Sequence, residues 1–147
     1  MSNILQVIKE SWSEDSKIDS LQIRNEIVRT PILHSKYLTY LIEIKCAYRE
    51  VEVEVIKMHR LKSRYYKGEM SKEELLELNW DQYQGIKPIK SELETLITTD
   101  SDMVELSTKL NYYKICLDTL ESIIKAIASR SYDIRALLEA EKFYSGS

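Results

Sequence analysis

The sequence predicts an all-α protein, a long helical hairpin or bundle with coiled-coil-like seams, and three observations predict it. The 147 residues contain only three glycines and two prolines, too few to punctuate a turn-rich all-β chain. Apolar residues make up 44% and charged residues 31%, and that apolar content offsets ordering entropy, which argues against wholesale disorder. Two apolar series recur at alternating steps of three and four over many turns, the period of a helical packing seam.

The first element is short. Ile4, Leu5, Ile8 and Trp12 give it one apolar face before the polar break SEDSK. Asp19 then opens a second helix, with Gln22 three residues on as a weak capping box. At RTP, residues 29 to 31, two readings are open: Thr30 caps a fresh helix with Pro31 at its first position, or Pro31 kinks one longer helix. From Tyr37 the seam runs Tyr37, Leu41, Ile44, Tyr48, Val51, Val55, Met58. VEVEV at 51 to 55 alternates like a strand, but it lies inside this long helical period, and length decides for helix. The next seam positions are Lys62 and Tyr65, where the hydrophobic rule fails. The helix continues while its packing face turns cationic and aromatic in HRLKSRYYKG, until Gly68 ends the run.

Ser71 and Glu74 form a capping box for a helix that the sequence extends to near Gly85. Pro88 precedes a short helical piece with Leu93, Leu96 and Ile97, and TDSD at 99 to 102 offers several caps for the second long seam. That seam reads Met103, Leu106, Leu110, Tyr113, Leu117, Leu120, Ile124, Ile127, Ser131, Ile134, Leu138, broken only by Ser131. A second apolar row, among them Ile42, Cys46, Cys116, Ile123 and Ala126, widens the stripes beyond what a two-stranded coil needs and predicts self-association. We read one domain, 1–147, with N-terminal helices over 1–98 and a C-terminal helical region over 99–147.

Composition also excludes functions. No segment holds the eighteen or more apolar residues of a membrane span, and MSNILQVIKESW is too short and charged for a signal peptide, so a soluble, intracellular protein is expected. Cys46 and Cys116 stand apart without CxxC spacing and read as two buried thiols, with neither a disulfide framework nor a zinc site. There is no P-loop, GxGxxG, GxSxG or HExxH, and His34 and His59 lack companion ligands. No enzyme, cofactor or metal is expected.

The net charge of −3 conceals a local contrast. Residues 57 to 72 hold six cations (Lys57, Arg60, Lys62, Arg64, Lys67, Lys72) against one acid, Glu69; residues 73 to 105 hold nine acids against two cations, Lys87 and Lys90. Exposed charges are screened beyond about 8 Å in physiological salt, so a local block can attract a polyanion on an acidic protein. Single-stranded nucleic acid requires cations that track phosphates and rings on which bases stack. The candidate nucleic-acid-binding residues are therefore Lys57, Arg60, Lys62, Arg64, Tyr65, Tyr66 and Lys67, with the tyrosines either stacking on bases or bracing the turn at Gly68. The acidic stretch reads as solvated helix, with partner docking as its alternative.

Along essentially its whole length the chain resembles the UvsY family of T-even phage recombination mediators. The likeness runs through Ile18 and Asp19, then Ser35, Lys36 and Leu38, the basic block, and most clearly Ile115, Leu117, Asp118, Ala126, Ile127, Ser129, Arg130, Ile134, Phe143 and Gly146. The resemblance implies an all-helical, ring-forming homo-oligomer of six or seven subunits that binds single-stranded DNA. In that reading it helps a RecA-like recombinase displace a single-strand-binding protein, in the cytoplasm of an infected cell if phage-encoded. Matched on Tyr65, Tyr66 and Gly68, the family's two cations fall on Arg60 and Lys62; matched on the cations, they fall on Lys62 and Arg64. Lys62 is common to both. The family's C-terminal helix oligomerises, which points to Leu117, Leu120, Ile124, Ile127, Ile134 and Leu138 as subunit contacts, with burial of some of them within the protomer as the alternative. The rival reading is a coiled-coil scaffold or assembly adaptor whose basic block only solubilises a helix end.

Overall fold

The computed structural model describes residues 3–146, and every regular element among them is a helix. The elements are α1 (Ile4–Asp15), α2 (Ile23–Tyr66), α3 (Lys72–Leu78), α4 (Lys90–Thr98) and α5 (Ser101–Tyr144). The chain packs as two compact units, one made of the residues up to Cys46 and from Tyr113 on, the other of Ala47–Tyr112.

The first unit has an apolar interior in which Ile8, Leu33, Tyr37, Leu41 and Ile44 are buried, as are Cys116, Leu117, Leu120, Ile123, Ile127 and Ile134. Burying one such aliphatic side chain stabilises a fold by about 1.5–3 kcal/mol before entropy is counted, so both seams contribute to the unit's own core. Trp12 meets Tyr37 edge-on at 5.5 Å. Asp15, closing α1, accepts hydrogen bonds from the Tyr37 hydroxyl at 2.8 Å and from Lys36 Nζ at 2.6 Å. Burial pushes the Asp15 carboxyl up, but these partners outweigh it and hold the group below its usual range.

Pro31 lies inside α2, so the long-helix reading holds. The turn before it is gripped by Arg130, only 3% exposed. Its Nε donates to Thr30 Oγ1 at 2.9 Å, and one terminal nitrogen reaches the Glu26 carbonyl at 3.0 Å and the Glu26 carboxylate at 3.3 Å. Glu26 is itself buried and also accepts from the Asp19 amide at 3.1 Å. The seam's break at Ser131 is on the surface; the polar group taken inside is its neighbour. The outer row is less buried than its apolar character predicts, for Ile42, Ala126 and Cys46 are exposed. Of the two thiols expected to be buried only Cys116 is.

In the second unit the α2 seam continues through buried Val51 to Val55 and Met58, which with Tyr66 pack against Leu93, Ile97 and Met103. α2 ends where the sequence stops it: Gly68 has φ +72°, and the amides of Gly68 and Glu69 return to the carbonyls of Tyr65 and Arg64, a Schellman closure that needs a left-handed residue. The Ser71 hydroxyl accepts from the Glu74 amide at 3.2 Å and the Glu74 carboxylate accepts from the Ser71 amide at 3.2 Å, completing the capping box of α3. α3 stops at Leu78, well before Gly85, because Asn79 adopts φ +58° and closes the helix with the same pattern, its own amide and that of Trp80 bonding to Leu76 and Leu75. α5 is capped by Asp100, whose Oδ1 accepts from the amides of Asp102 at 2.9 Å and Met103 at 3.2 Å.

Candidate nucleic-acid interface

The basic block occupies the last turns of α2, and helical geometry sorts its cations. At 3.6 residues per turn, Lys57, Arg60, Arg64 and Lys67, spaced three, four and three apart, fall in one stripe about 15 Å long. Lys62 falls on the opposite side, with the seam residues Met58 and Tyr65. Burial follows this sorting: Lys57, Arg60 and Lys67 are exposed and Arg64 is half-buried, whereas Lys62 is only 5% exposed.

Lys57, Arg60 and Lys67 make no ion pair among the described residues. Arg64 is held by a two-pronged pair to Glu74, at 2.8 Å and 2.9 Å. The guanidinium draws the Glu74 carboxyl down to about 2, helped by the Ser71 amide, and Glu74 in turn raises Arg64. His59 faces Glu94 at 3.4 Å. Lys57 lines an open groove of about 360 Å³ with Glu54, Met58, Leu61, Asp102 and Glu105, so acidic groups share its surroundings.

The two tyrosines brace. Tyr65 donates to the Asp81 carbonyl at 2.6 Å and Tyr66 to Asp100 Oδ2 at 2.7 Å. Their rings meet edge-on at 5.1 Å, and both approach Tyr83, at 5.9 Å and 5.0 Å, while Tyr65 also meets Trp80 at 5.5 Å. Burial, then the Asp100 hydrogen bond, pushes the Tyr66 hydroxyl well above its ordinary value. Burial also pushes the Asp100 carboxyl up, yet the bonds from Tyr66, Lys62 and the Met103 amide outweigh it and leave the group below its usual range. Trp80 and Tyr83 are the members of this cluster that sequence reasoning missed. They sit in the irregular segment 79–89, where no periodicity marks them. The acidic stretch read as solvated helix is partly used here, through Glu74, Glu94, Asp100 and Asp102.

Of the residues expected at subunit contacts, Leu117, Leu120, Ile127 and Ile134 are covered by their own chain. Ile124 is half-buried and Leu138 is 37% exposed. Leu138 lines an apolar groove of about 430 Å³ in the first unit with Ile27, Thr30, Pro31, Ser131, Ile134 and Arg135. Among the described residues no group of three or more His, Cys, Asp and Glu side chains is placed to hold a metal ion, and no helix is long and apolar enough to cross a membrane.

Fold and site together define an all-helical protein that turns a cationic stripe outward at one helix end and an aromatic, ion-paired face inward. The chain belongs to the UvsY family: the family profile described as "Recombination, repair and ssDNA binding protein UvsY" matches residues 11–147. The recombination protein uvsY of Enterobacteria phage T4 is 30% identical over 144 residues, covering 97% of this chain and 98% of that one. Two crystal forms of the phage T4 recombination mediator protein UvsY share the fold. One has a TM-score of 0.84 at 25% identity over 99% of this chain and 98% of the other; the second has 0.82 at 26% identity over 93% and 98%.

Proposed function

We propose that this chain is a non-enzymatic recombination mediator that binds single-stranded DNA as a homo-oligomer and helps load a RecA-like recombinase onto strands covered by single-strand-binding protein, in the cytoplasm of an infected cell. Family membership supports the reading, and the single observation that carries it within the structure is the outward stripe of Lys57, Arg60 and Lys67. These three cations meet phosphates directly. Arg64 joins them to the extent that Glu74 releases it, and Tyr65 and Tyr66 hold the end of α2 in place. Two or three phosphate contacts per chain give weak binding, because each adds only about 0.7 to the salt slope on a single strand. Strength comes from repetition of the stripe across subunits. The exposed apolar residues of the first unit, Leu138 and Ile27 beside the groove and half-buried Ile124 on α5, supply the subunit contacts.

The test is a titration of labelled oligo-dT at 50 and 200 mM salt, with native mass measured with and without the oligonucleotide. Binding that weakens with salt, by a species heavier than one chain, supports the reading. No binding at low salt refutes it and leaves the scaffold reading, which the internal pairing of Lys62 and Arg64 would then favour.

A further inference from the structure

Lys62 stands apart from the other cations of the block. Its Nζ lies 3.1 Å from Asp100 Oδ2 and 2.7 Å from Asp102 Oδ2, and 4.0 Å from the centre of the Trp80 ring. A carboxylate on each of two bearings and an aromatic face on a third account for the ammonium's donors. Trp80 is set there by the closure at Asn79, and Asp100 is simultaneously the cap of α5 and the acceptor for Tyr66. One buried charge thus fastens the end of α2 to the start of α5 and to the segment after α3.

For a phosphate to take this ammonium, Lys62 would have to abandon both carboxylates from within a helix. Breaking the buried Lys62–Asp100 pair from one side is roughly a 10²- to 10⁴-fold penalty, whereas one more phosphate contact at 0.15 M salt gains about fourfold by counter-ion release. The penalty wins. We infer that Lys62 is a positioning residue for DNA binding: it makes no contact with phosphate, and it holds in register the helix end that presents Arg60, Arg64 and Lys67 by neutralising Asp100 and Asp102. This rests on the reading of the chain as a single-stranded DNA binder.

The experiment compares the wild type, Lys62→Met, and Lys62→Met combined with Asp100→Asn and Asp102→Asn, each titrated with oligo-dT over a range of salt. Lys62→Met, which leaves two carboxylates uncompensated, is expected to lose at least about tenfold in affinity. The triple variant, with no charge left at the site, is expected to recover to within about threefold of the wild type and to keep the wild-type salt slope. Failure of the triple variant to recover, with a slope reduced by one contact's share, overturns the inference, and so does wild-type affinity in Lys62→Met. If the wild type itself does not bind, the function fails rather than the assignment of Lys62. A second measurement needs no variant. Amine acylation of the wild-type protein should modify Lys62 far more slowly than Lys57 and Lys67, and oligo-dT should protect those two while leaving the Lys62 rate unchanged. Rapid modification of Lys62 that DNA suppresses also overturns the inference.

Discussion

Replacing Arg60 by Gln removes one charge from the middle of the outward stripe, and its effect is best read as a slope. If Lys57, Arg60 and Lys67 each neutralise one phosphate, a single chain contributes about 2.1 to the fall of log affinity with log salt, and the variant about 1.4. Between 50 and 200 mM salt the wild-type chain then loses about 18-fold in affinity and the variant about sevenfold. The ratio of the two slopes, about two-thirds, is the more robust quantity, because it is the same whether one subunit or several engage the strand. Arg60 is exposed and makes no ion pair among the described residues, so the substitution should change stability by no more than about 0.5 kcal/mol. Fluorescence anisotropy of labelled oligo-dT at five or six salt concentrations measures the slope, with circular dichroism as the control for folding. An Arg60→Gln slope equal to the wild type's, in a folded protein that binds DNA, would show that the stripe is not the phosphate track. A Lys57→Gln, Arg60→Gln, Lys67→Gln variant that kept its salt dependence would show the same more forcefully.

Arg130→Met should cost about 3 kcal/mol, the low end for one-sided loss of a buried pair, since Glu26 keeps the Asp19 amide and Arg29 at 3.6 Å. Adding Glu26→Gln should return more than half of that, and additive losses in urea denaturation would contradict the coupling. Asn79→Ala should destabilise by about 1 kcal/mol, and Asn79→Gly should not, because only the left-handed backbone at this position is at stake; equal effects in thermal melts would count against it. Asp100 and Glu74 both have folded-state carboxyls held below their ordinary values, so their contribution is complete above about pH 4.5 and fades as pH falls toward 2. Glu74→Gln should therefore flatten the dependence of the urea midpoint between pH 5 and 2, and a curve parallel to the wild type's would rule that source out. Leu138→Asp should lower the native mass and weaken oligo-dT binding together while the helical signal stays; an unchanged mass would remove the groove beside Ile27 from the subunit contact.

The long helices were legible because their signals are local and repeated. The three-four spacing of Tyr37 to Met58 and of Met103 to Leu138, the Ser71 to Glu74 box and Gly68 each act within a turn or two of where they are read. Lys62 shows what a local reading can and cannot yield. Its place on the seam was read as the point where the packing face turns cationic, and its charge and family register pointed to phosphate; the structure instead keeps it on the inward face, 5% exposed. Its partners Asp100 and Asp102 lie some forty residues away, at the start of a helix whose packing partner no spacing announces. Trp80 and Tyr83 were invisible for a related reason, since Asn79 ends α3 early and an irregular segment has no period from which a facing can be read. The C-terminal stripe was conspicuous without its partner being legible: Leu117, Leu120, Ile127 and Ile134 are covered by their own chain while Ile124 and Leu138 stay partly open, and the spacing of a stripe is the same whichever surface covers it.

That last feature separates two equilibria. Leu117, Leu120, Ile127 and Ile134 are dry within a single copy, so a solitary molecule has little reason to melt when its neighbours leave. Dilution should scatter any ring this chain forms into intact pieces, and a gap should be refilled by a ready-made copy rather than by one that must fold on arrival.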